Sequence, residues 1–355
     1  MYGEEAEDRY MARSRRRWIA ILTVVIITIA ISAYSVSVLS FGISFAESWE
    51  VIIKHLQGIE PSNYYERIRD TLIFEGTLPR VIGAAFVGCI LGVSGAIMQY
   101  CVRNPLADPY TTGISSAALF GVTISLTLGI ILLPLPDNSG LVFNAFVFSM
   151  IPCAMMIAIS VKRKTTPTML ILIGIAMMYI FSAFTMVLKY NAEPEVLQQI
   201  IEWSIGSVSK VTWGAIPLLI LSVVILLILT VTHSKKLDVM SAGDNMATSL
   251  GTNPKRTRLV CMVIVSACTS IAVSFSGSIG FVGLVVPHIS RLLVGSRTNA
   301  LIPCSAITGA FLLVAADTLA RSFGAGLPVG AVTALIGSPV FLYFLFKIRT
   351  GGWGR

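Results

Sequence analysis

The sequence predicts an all-α polytopic membrane protein with about ten transmembrane helices, and three observations support this prediction. Hydrophobic residues make up 55% of the chain and charged residues only 12%, whereas soluble domains carry about 25% charged residues. About 20 apolar residues cross the hydrocarbon core of a bilayer, and the chain divides into ten apolar runs, one of them short, with polar breaks between them. Basic residues are concentrated in alternate breaks, which is the charge pattern of a chain that crosses a membrane repeatedly.

The ten spans follow from the apolar runs in chain order, to within several residues at each end. The basic residues before Trp18 are similar to the start of a signal peptide, but the apolar run after them is too long and has no clear small-residue cleavage site. We therefore interpret it as a retained first span. The spans are placed at Trp18–Ser40, Leu78–Tyr100, Gly113–Leu133, Leu141–Val161, Thr168–Tyr190, Thr212–Thr232, Leu259–Ser276, Phe281–Val294, Leu301–Ala320 and Val329–Phe346.

A single transmembrane domain, residues 18–348, accounts for most of the chain, between a basic N-terminal segment (1–17) and a short tail (349–355). An even number of spans brings both termini to one side, and 19 of the 26 lysines and arginines then fall on that side. Because cytoplasmic loops carry the excess of basic residues, both termini are predicted to be cytoplasmic, in a multi-pass protein of the cell (inner) membrane. The basic excess is therefore a topology signal, and no nucleic-acid partner is predicted.

The polar segment Arg103–Pro109 separates the second and third spans and contains two prolines. Proline lacks an N–H and clashes with the preceding turn, so Pro105 and Pro109 should stop a helix and force the chain to re-enter. In a membrane, irregular backbone is tolerated only where it is buried in protein or lines a water-filled cavity. The segment is thus predicted to line a pathway, with an ordinary cytoplasmic turn as an equally supported alternative.

Two longer connections are predicted to carry helices of their own. The external segment 41–77 is rich in acidic and aromatic residues, which favours a short surface helix. The internal segment 233–258 is moderately amphipathic, and Gly251 has the position of a helix stop. A cytoplasmic helix too short to span is suited to docking a partner protein, although a surface helix without a partner is the alternative.

A weak internal repeat suggests the arrangement of the spans. Ser94-Gly95-Ala96-Ile97 precedes Pro105, and Ser276-Gly277-Ser278-Ile279 precedes Pro287, in spans that run in opposite directions. Inverted repeats with broken helices at matching positions are typical of transporters. The glycines and Pro287 in the short eighth span predict a broken helix there. Gly88 and Gly92 are spaced for close helix packing, which we expect to be internal rather than at a dimer face.

No constellation for catalysis is present in the sequence. It has no Gly-x-x-x-x-Gly-Lys-Ser/Thr motif, so the chain is not expected to bind ATP in the P-loop manner. Its three histidines are scattered, which predicts no metal site and no catalytic group. Asp317 and Arg321, four residues apart near the outer end of the ninth span, are expected to pair on one helix face. An ion pair that only anchors the helix end, and a role for Arg321 in binding something outside, are equally supported alternatives.

Six motifs occur in one order along the chain. They are Leu78-Pro79-Arg80, the block from Ser94 to Pro109, the block from Gly243-Asp244 to Gly251, the block from Gly283 to Arg291, the block from Ala316-Asp317 to Arg321, and Leu327-Pro328-Val329-Gly330 followed by Thr333 to Pro339. Their order resembles the FecCD family of ABC-importer permeases, over about Trp18–Lys347. That family includes the membrane subunits for ferric siderophores, haem and cobalamin.

The resemblance implies a homodimer with the type II ABC-importer permease fold. Two separate ATP-hydrolysing subunits, which would bind the ATP and Mg, are expected beneath it, and a substrate-binding protein above it. The chain itself would bind no cofactor and would be a transport subunit rather than an enzyme. The absence of a P-loop motif from this sequence agrees with ATP binding by separate subunits.

The resemblance also assigns residues to three sites. The loop at about 238–258 would hold the coupling helices that contact the ATPase, and Thr77 stands where relatives often have a further docking arginine. The implied residues are Asn104, Leu106, Thr166, Pro167 and Thr168 for the cytoplasmic gate, Gly243, Asp244, Ala247, Leu250 and Gly251 for ATPase coupling, and Arg80 and Arg321 for docking of the binding protein.

The expected substrate is an iron-siderophore-type metal chelate, the commonest class in the family. Cobalamin or haem is the alternative, and oxyanions rank after these. An ion-coupled secondary transporter built on the same broken helices is the alternative from another class. The sequence has no cluster of acidic residues at membrane centre, which argues against ion coupling.

Overall fold

The computed structural model describes residues 2–38, 43–136, 139–162, 166–323 and 327–348. The predicted tail 349–355 lies outside these residues, as do Arg163 and Lys164 of the third cytoplasmic connection. Over the described ranges the regular structure is entirely helical. The α-helices are α1 Tyr2–Ser37, α2 Phe45–Leu56, α3 Tyr64–Asp70, α4 Leu78–Val102, α5 Ile114–Leu128, α6 Ser139–Lys162, α7 Pro167–Tyr190, α8 Pro194–Ile205, α9 Ile216–Ser241, α10 Asp244–Ser249, α11 Pro254–Ser276, α12 Val282–Val294, α13 Thr298–Ser322 and α14 Val329–Ile348.

Each of the ten spans expected from the sequence corresponds to one helix. Within the described ranges, seven helices are long and apolar enough to cross a membrane. They are α1, α4, α6, α7, α9, α11 and α13. Three shorter apolar helices, α5, α12 and the described part of α14, match the other three spans. The predicted polytopic all-α fold is thus confirmed.

Helix α4 is the centre of the bundle. Its side chains are buried along most of its length, and it packs against α9, α11, α12 and α13. A methyl group at Gly88 would overlap the carbonyl of Gly309 on α13, and one at Gly95 would overlap the carbonyl of Gly283 on α12. Small residues let the backbones approach this closely, so the glycine pattern of α4 serves internal packing, as expected.

The connections between the helices are divided between two ends of the bundle, as the ten-span topology requires. At one end, Arg258 on α11 contacts the last turn of α4, and Asp238 on α9 accepts a hydrogen bond from Thr298 N, where α13 begins, at 3.0 Å. At the other end, the Trp213 indole donates to Phe74 O at 2.9 Å, and Arg321 donates to Val38 O at 2.9 Å. We call them the inner end and the outer end.

The outer connection before α4 forms two helices, α2 and α3, where the sequence predicted one surface helix. Ser44 and Glu47 form a capping box at the start of α2, and the Asn63 side chain accepts a hydrogen bond from Glu66 N at the start of α3, at 2.9 Å. A π-helical segment, Thr71–Thr77, joins α3 to α4. The chain from α3 to the end of α4 is therefore one continuous helical rod.

Three features differ from the sequence-based expectations. Helix α9 continues nine residues beyond the predicted end of its span at Thr232, because a helix keeps its hydrogen bonds after leaving the apolar layer. Helix α8 was not predicted. The eighth span was expected to be a broken helix because of its glycines and Pro287. Helix α12 is continuous across Pro287, and the break lies before it, between Gly277 and Phe281, which both have positive φ.

Candidate functional site

The polar segment after α4 begins with a helix stop that fixes its direction. Arg103 adopts the left-handed conformation (φ 51°, ψ 39°). Its N–H donates to Tyr100 O at 3.3 Å, and Asn104 N donates to Gln99 O at 3.2 Å. This pair of bonds is a Schellman motif, which usually places glycine where Arg103 stands. The first residue of the predicted gate is thus hydrogen-bonded directly to the end of α4.

The segment then folds into a compact turn with an apolar tip. The Asn104 side-chain oxygen accepts a hydrogen bond from Leu106 N at 2.9 Å, and Ala107 N donates to Asn104 O at 3.1 Å. Leu106 is 41% exposed. The Asn104 side chain is therefore fixed by a hydrogen bond within the turn, while the Leu106 side chain is available for contact with another surface.

Asp108 closes the turn and begins the re-entry. Its carboxylate accepts a hydrogen bond from Tyr110 N at 3.0 Å and caps the 3-10 turn Pro109–Thr112. It is buried against Gly283, at the N-terminal end of α12, and burial raises the pKa of Asp108 to about 6. Sequence reasoning missed this role, although an aspartate directly before a proline is a recognisable helix-cap pattern.

The re-entrant segment and the start of α5 are joined to the break between α11 and α12. The Tyr110 hydroxyl accepts a hydrogen bond from Ile279 N at 3.1 Å, in the break between α11 and α12. Ser115 at the start of α5 pairs with Ser278 in the same break. The re-entrant segment and the segment Ser276–Ile279 singled out in the sequence are therefore brought together in space.

The second predicted gate, Thr166, Pro167 and Thr168, lies at the start of α7. The Thr166 hydroxyl accepts a hydrogen bond from Met169 N at 3.3 Å and caps the helix, with Pro167 in its first turn. Contact between α7 and the re-entrant segment occurs at Gly174, two turns further along. Thr166 and Thr168 are exposed.

The predicted coupling residues form α10 and its two ends. Gly243 precedes the helix with a φ of 124°, a conformation open to glycine alone. Gly251 follows it with a φ of 77° and donates to Thr248 O, while Thr252 N donates to Ala247 O, which is again a Schellman motif. The predicted helix stop at Gly251 is confirmed.

The side chains of α10 divide between the bundle and the surface. Ala247 is fully buried and packs against the bundle. Met246 and Leu250, one turn apart, are 53% and 60% exposed. They form an apolar pair on a short helix at the inner end.

An ion pair ties α10 to the bundle. Arg258 donates from Nη2 to the two carboxylate oxygens of Asp244, at 2.9 and 3.1 Å. Its Nε donates to Cys101 O, in the last turn of α4, at 2.6 Å. The Arg258 side chain is 6% exposed and that of Asp244 40%. Sequence reasoning counted Arg258 only as a basic residue of the loop.

The two predicted docking arginines converge on one buried carboxylate at the outer end. Arg80 donates to Asp317 from Nε at 2.9 Å and from Nη2 at 2.7 Å. Arg321 Nε lies 3.1 Å from the other oxygen of Asp317, which confirms the pair expected four residues apart. The Arg80 and Arg321 side chains are 20% and 11% exposed, and that of Asp317 is fully buried. Most of each guanidinium group thus faces the bundle.

Comparisons with known proteins agree with this geometry. Residues 22–347 match the model of the FecCD transport family. The chain is 39% identical over 273 residues to the cobalamin import system permease protein BtuC of Halobacterium salinarum, which covers 76% of this chain and 71% of the relative. It is 37% identical over 321 residues to the iron(3+)-hydroxamate import system permease protein FhuB of Bacillus subtilis, covering 89% and 80%.

A solved structure shows the same fold. It is described as an inward-facing conformation of an ABC transporter of the metal-chelate type, and it is 28% identical to this chain. The superposition covers 92% of this chain and 98% of that one, with a TM-score of 0.76. The helical arrangement of this chain therefore has a counterpart in a solved transporter.

Proposed function

The chain belongs to the FecCD transport family and is an ABC-importer permease, and from this premise we propose that it forms the translocation pathway for an iron-siderophore-type metal chelate. In this proposal two copies form a homodimer around the pathway. Two ATP-binding cassette subunits bind ATP and Mg²⁺ and drive it, and an extracytoplasmic binding protein delivers the substrate. Both termini lie on the cytoplasmic side of the inner membrane.

The observation that carries the proposal is the joining of α10, through Arg258, to the end of α4 from which the re-entrant segment leaves. Asp244 on α10 and Cys101 at the end of α4 share Arg258, and the gate residue Asn104 follows three residues after Cys101. A permease needs such a connection, because a movement imposed by ATP binding outside the membrane has to reach the exit of the pathway.

The ATPase contact is proposed at the exposed face of α10. Met246 and Leu250 present apolar side chains at the inner end, and such i, i+4 anchors are the usual way in which a short helix fills a groove. Gly243 and Gly251 fix where the helix begins and ends. Two copies of the permease would present two such helices, one to each ATPase.

The cytoplasmic gate is proposed at the re-entrant turn. Leu106 from each of two copies would meet its counterpart and close the exit, with Asn104 held beside it by its own hydrogen bonds. The second ring of the gate is assigned to Thr166, Pro167 and Thr168 at the start of α7.

The binding protein is proposed to dock at the outer end. Two arginines share the single charge of Asp317 there, so a net positive charge remains at Arg80 and Arg321. Arg67 and Arg69 on α3 are also exposed, and Arg69 Nη1 lies 3.6 Å from Glu47 Oε1. Charges at the rim of an interface mainly set the encounter rate and the register.

The substrate assignment is supported by two of the similar proteins. The relative named for iron(3+)-hydroxamate import is similar over 89% of this chain, and the solved transporter is described as of the metal-chelate type. Cobalamin is the second candidate, because the relative named for cobalamin import is 39% identical. Both are large metal chelates and would need a wide, weakly binding path.

The direct test reconstitutes the chain with its ATPase subunits and binding protein in liposomes. We expect ATP-dependent uptake of a radioactive iron-hydroxamate chelate. A transporter with inactive ATPase subunits is the control. Uptake of labelled cobalamin with none of the iron chelate would establish the second candidate. Uptake driven by an ion gradient in the absence of ATP would contradict the proposal and support a secondary transporter.

A further inference from the structure

Arg258 contacts two elements that are far apart in the sequence and that serve different parts of the proposed transporter. One hydrogen bond leads to Cys101 O on α4, and two lead to Asp244 on α10. The side chain is almost wholly buried, so its position is fixed by these neighbours and not by solvent.

The Cys101 carbonyl is one of the last four of α4, which have no partner within the helix. The Schellman motif satisfies two of the other carbonyls, those of Gln99 and Tyr100. Arg258 satisfies that of Cys101, and its positive charge is also favourable at a helix C-terminus. Arg258 is therefore part of the cap from which the gate segment leaves α4.

A second contact one turn along α11 supports the same junction. The thiols of Cys261 and Cys101 are neighbours, so α11 contacts the last turn of α4 at two successive turns. The start of α11 and the end of α4 are thus joined by two contacts.

The contact with α10 differs from the contact with α4. Asp244 is 40% exposed, and α10 itself has six residues, preceded by Gly243 and followed by Gly251, which both have positive φ. A short helix between two such glycines can change its orientation, and the ion pair is its charged link to the bundle. Displacement of α10 therefore acts on the Arg258 guanidinium first.

We propose that Arg258 is a positioning residue that transmits movement of α10 to the C-terminal cap of α4, and so sets the position of the gate turn that begins at Asn104. This inference rests on the proposed function, in which α10 receives the ATPase. The bonds from Nη2 to Asp244 carry the movement, and the bond from Nε to the Cys101 carbonyl delivers it. Lysine cannot replace Arg258, because an ammonium group has no planar fork to hold both partners at once.

The test measures hydrogen exchange in the complete transporter, with ATPase subunits and binding protein, in the presence and absence of nucleotide. In the unmodified protein we expect nucleotide to change exchange in residues 244–252 and also in residues 99–108. In Asp244→Asn the response of 244–252 should persist. The response of 99–108 should fall at least about fivefold, the lower end of typical couplings between sites.

Three further variants control the experiment. Arg258→Lys should behave as Asp244→Asn does, and Asp244→Glu, which keeps the carboxylate, should retain both responses. Lys236→Gln removes a positive charge from an exposed position of α9 at the same end and should also retain both. Substrate molecules transported per ATP hydrolysed should fall in the first two variants and not in the controls, a change that a purely structural role would not produce.

The outcomes separate this inference from its premise. If 99–108 still responds fully in Asp244→Asn and Arg258→Lys, the transmission role is wrong while the proposed function stands. If 244–252 does not respond to nucleotide in the unmodified transporter, docking of the ATPase at α10 is wrong, and the inference fails with it.

Discussion

The two ends of α4 each carry an arginine–aspartate ion pair, and the two pairs are built differently. At the outer end, Asp317 is fully buried and is shared by Arg80 and Arg321. At the inner end, Asp244 is 40% exposed and faces one arginine, Arg258. Burial makes an ion pair costly to separate, and exposure lets water replace a partner. The comparison therefore distinguishes a fixed junction from one that can open.

The outer junction joins three helices into one body. Arg80 belongs to α4, Asp317 and Arg321 to α13, and Arg321 also donates to Val38 O, just after α1. Thr318 and Arg321 both bond to the Ser35 hydroxyl. In the proposed transporter, the binding protein would dock on this end as a fixed body.

The largest expected effect of a substitution is at the outer junction. Asp317→Asn removes the carboxylate and leaves two buried guanidinium groups without their counter-charge, which should cost about 3–5 kcal/mol of stability. The measurement is unfolding of the detergent-solubilised protein. Glu195→Gln, at an exposed position of α8, is the matched control and should change stability by less than about 0.5 kcal/mol. Equal stability of the two variants would show that the outer junction is not a fixed one.

An intermediate effect is expected at Asp108, a buried acid whose bonded neighbour is a backbone N–H and not an arginine. Burial raises the pKa of Asp108 to about 6, whereas an aspartate in an unfolded chain has a pKa of about 3.9. The folded protein therefore binds this proton more tightly than the unfolded chain. The stability due to Asp108 is fully present below about pH 4 and is lost as the pH rises to about 6.

The test compares the pH dependence of stability in the unmodified protein and in Asp108→Asn. The amide keeps an acceptor for Tyr110 N but does not titrate. The difference in stability between the two proteins should change by about 2 kcal/mol between pH 4 and pH 7, in favour of the variant at the higher pH. A difference in stability that stays constant between pH 4 and pH 7 would contradict the raised pKa that burial gives Asp108.

The smallest effect on stability is expected at the inner junction. Asp244→Asn should cost about 1 kcal/mol, because the pair is partly exposed and Arg258 keeps its bond to the Cys101 carbonyl. Unfolding of Asp244→Asn and Asp317→Asn in detergent, measured side by side, gives the ratio of the two losses in stability. A loss as large as that of Asp317→Asn would remove the distinction between the two junctions.

The apolar pattern of the sequence was sufficient to predict the ten spans, since each run of apolar residues must be helical in a bilayer. Local signals also predicted the end of α4 before Pro105, the stop of α10 at Gly251, and the pairing of Asp317 with Arg321. All of these depend on residues within one or two helical turns of each other.

The remaining features depend on contacts that no local pattern encodes. Arg258 and Cys101 are 157 residues apart, and Arg80 and Asp317 are 237 apart. The family resemblance assigned Arg80 and Arg321 to docking at the outer face. Their shared ion pair with Asp317 forms only when α4 and α13 are packed together. The length of α9 was missed because its last nine residues are polar enough to resemble a loop.

The most direct test of the account is cross-linking between two copies of the re-entrant turn in the complete transporter. Asn104→Cys should form a disulfide across the dimer, and its yield should differ between nucleotide-free and nucleotide-bound states, because the two gate turns meet when the exit is closed. The unmodified chain, in which five of the six cysteines are buried, is the control. If Asn104→Cys cross-links in no nucleotide state, the turn is not a gate between two copies, and the account of the inner end is contradicted.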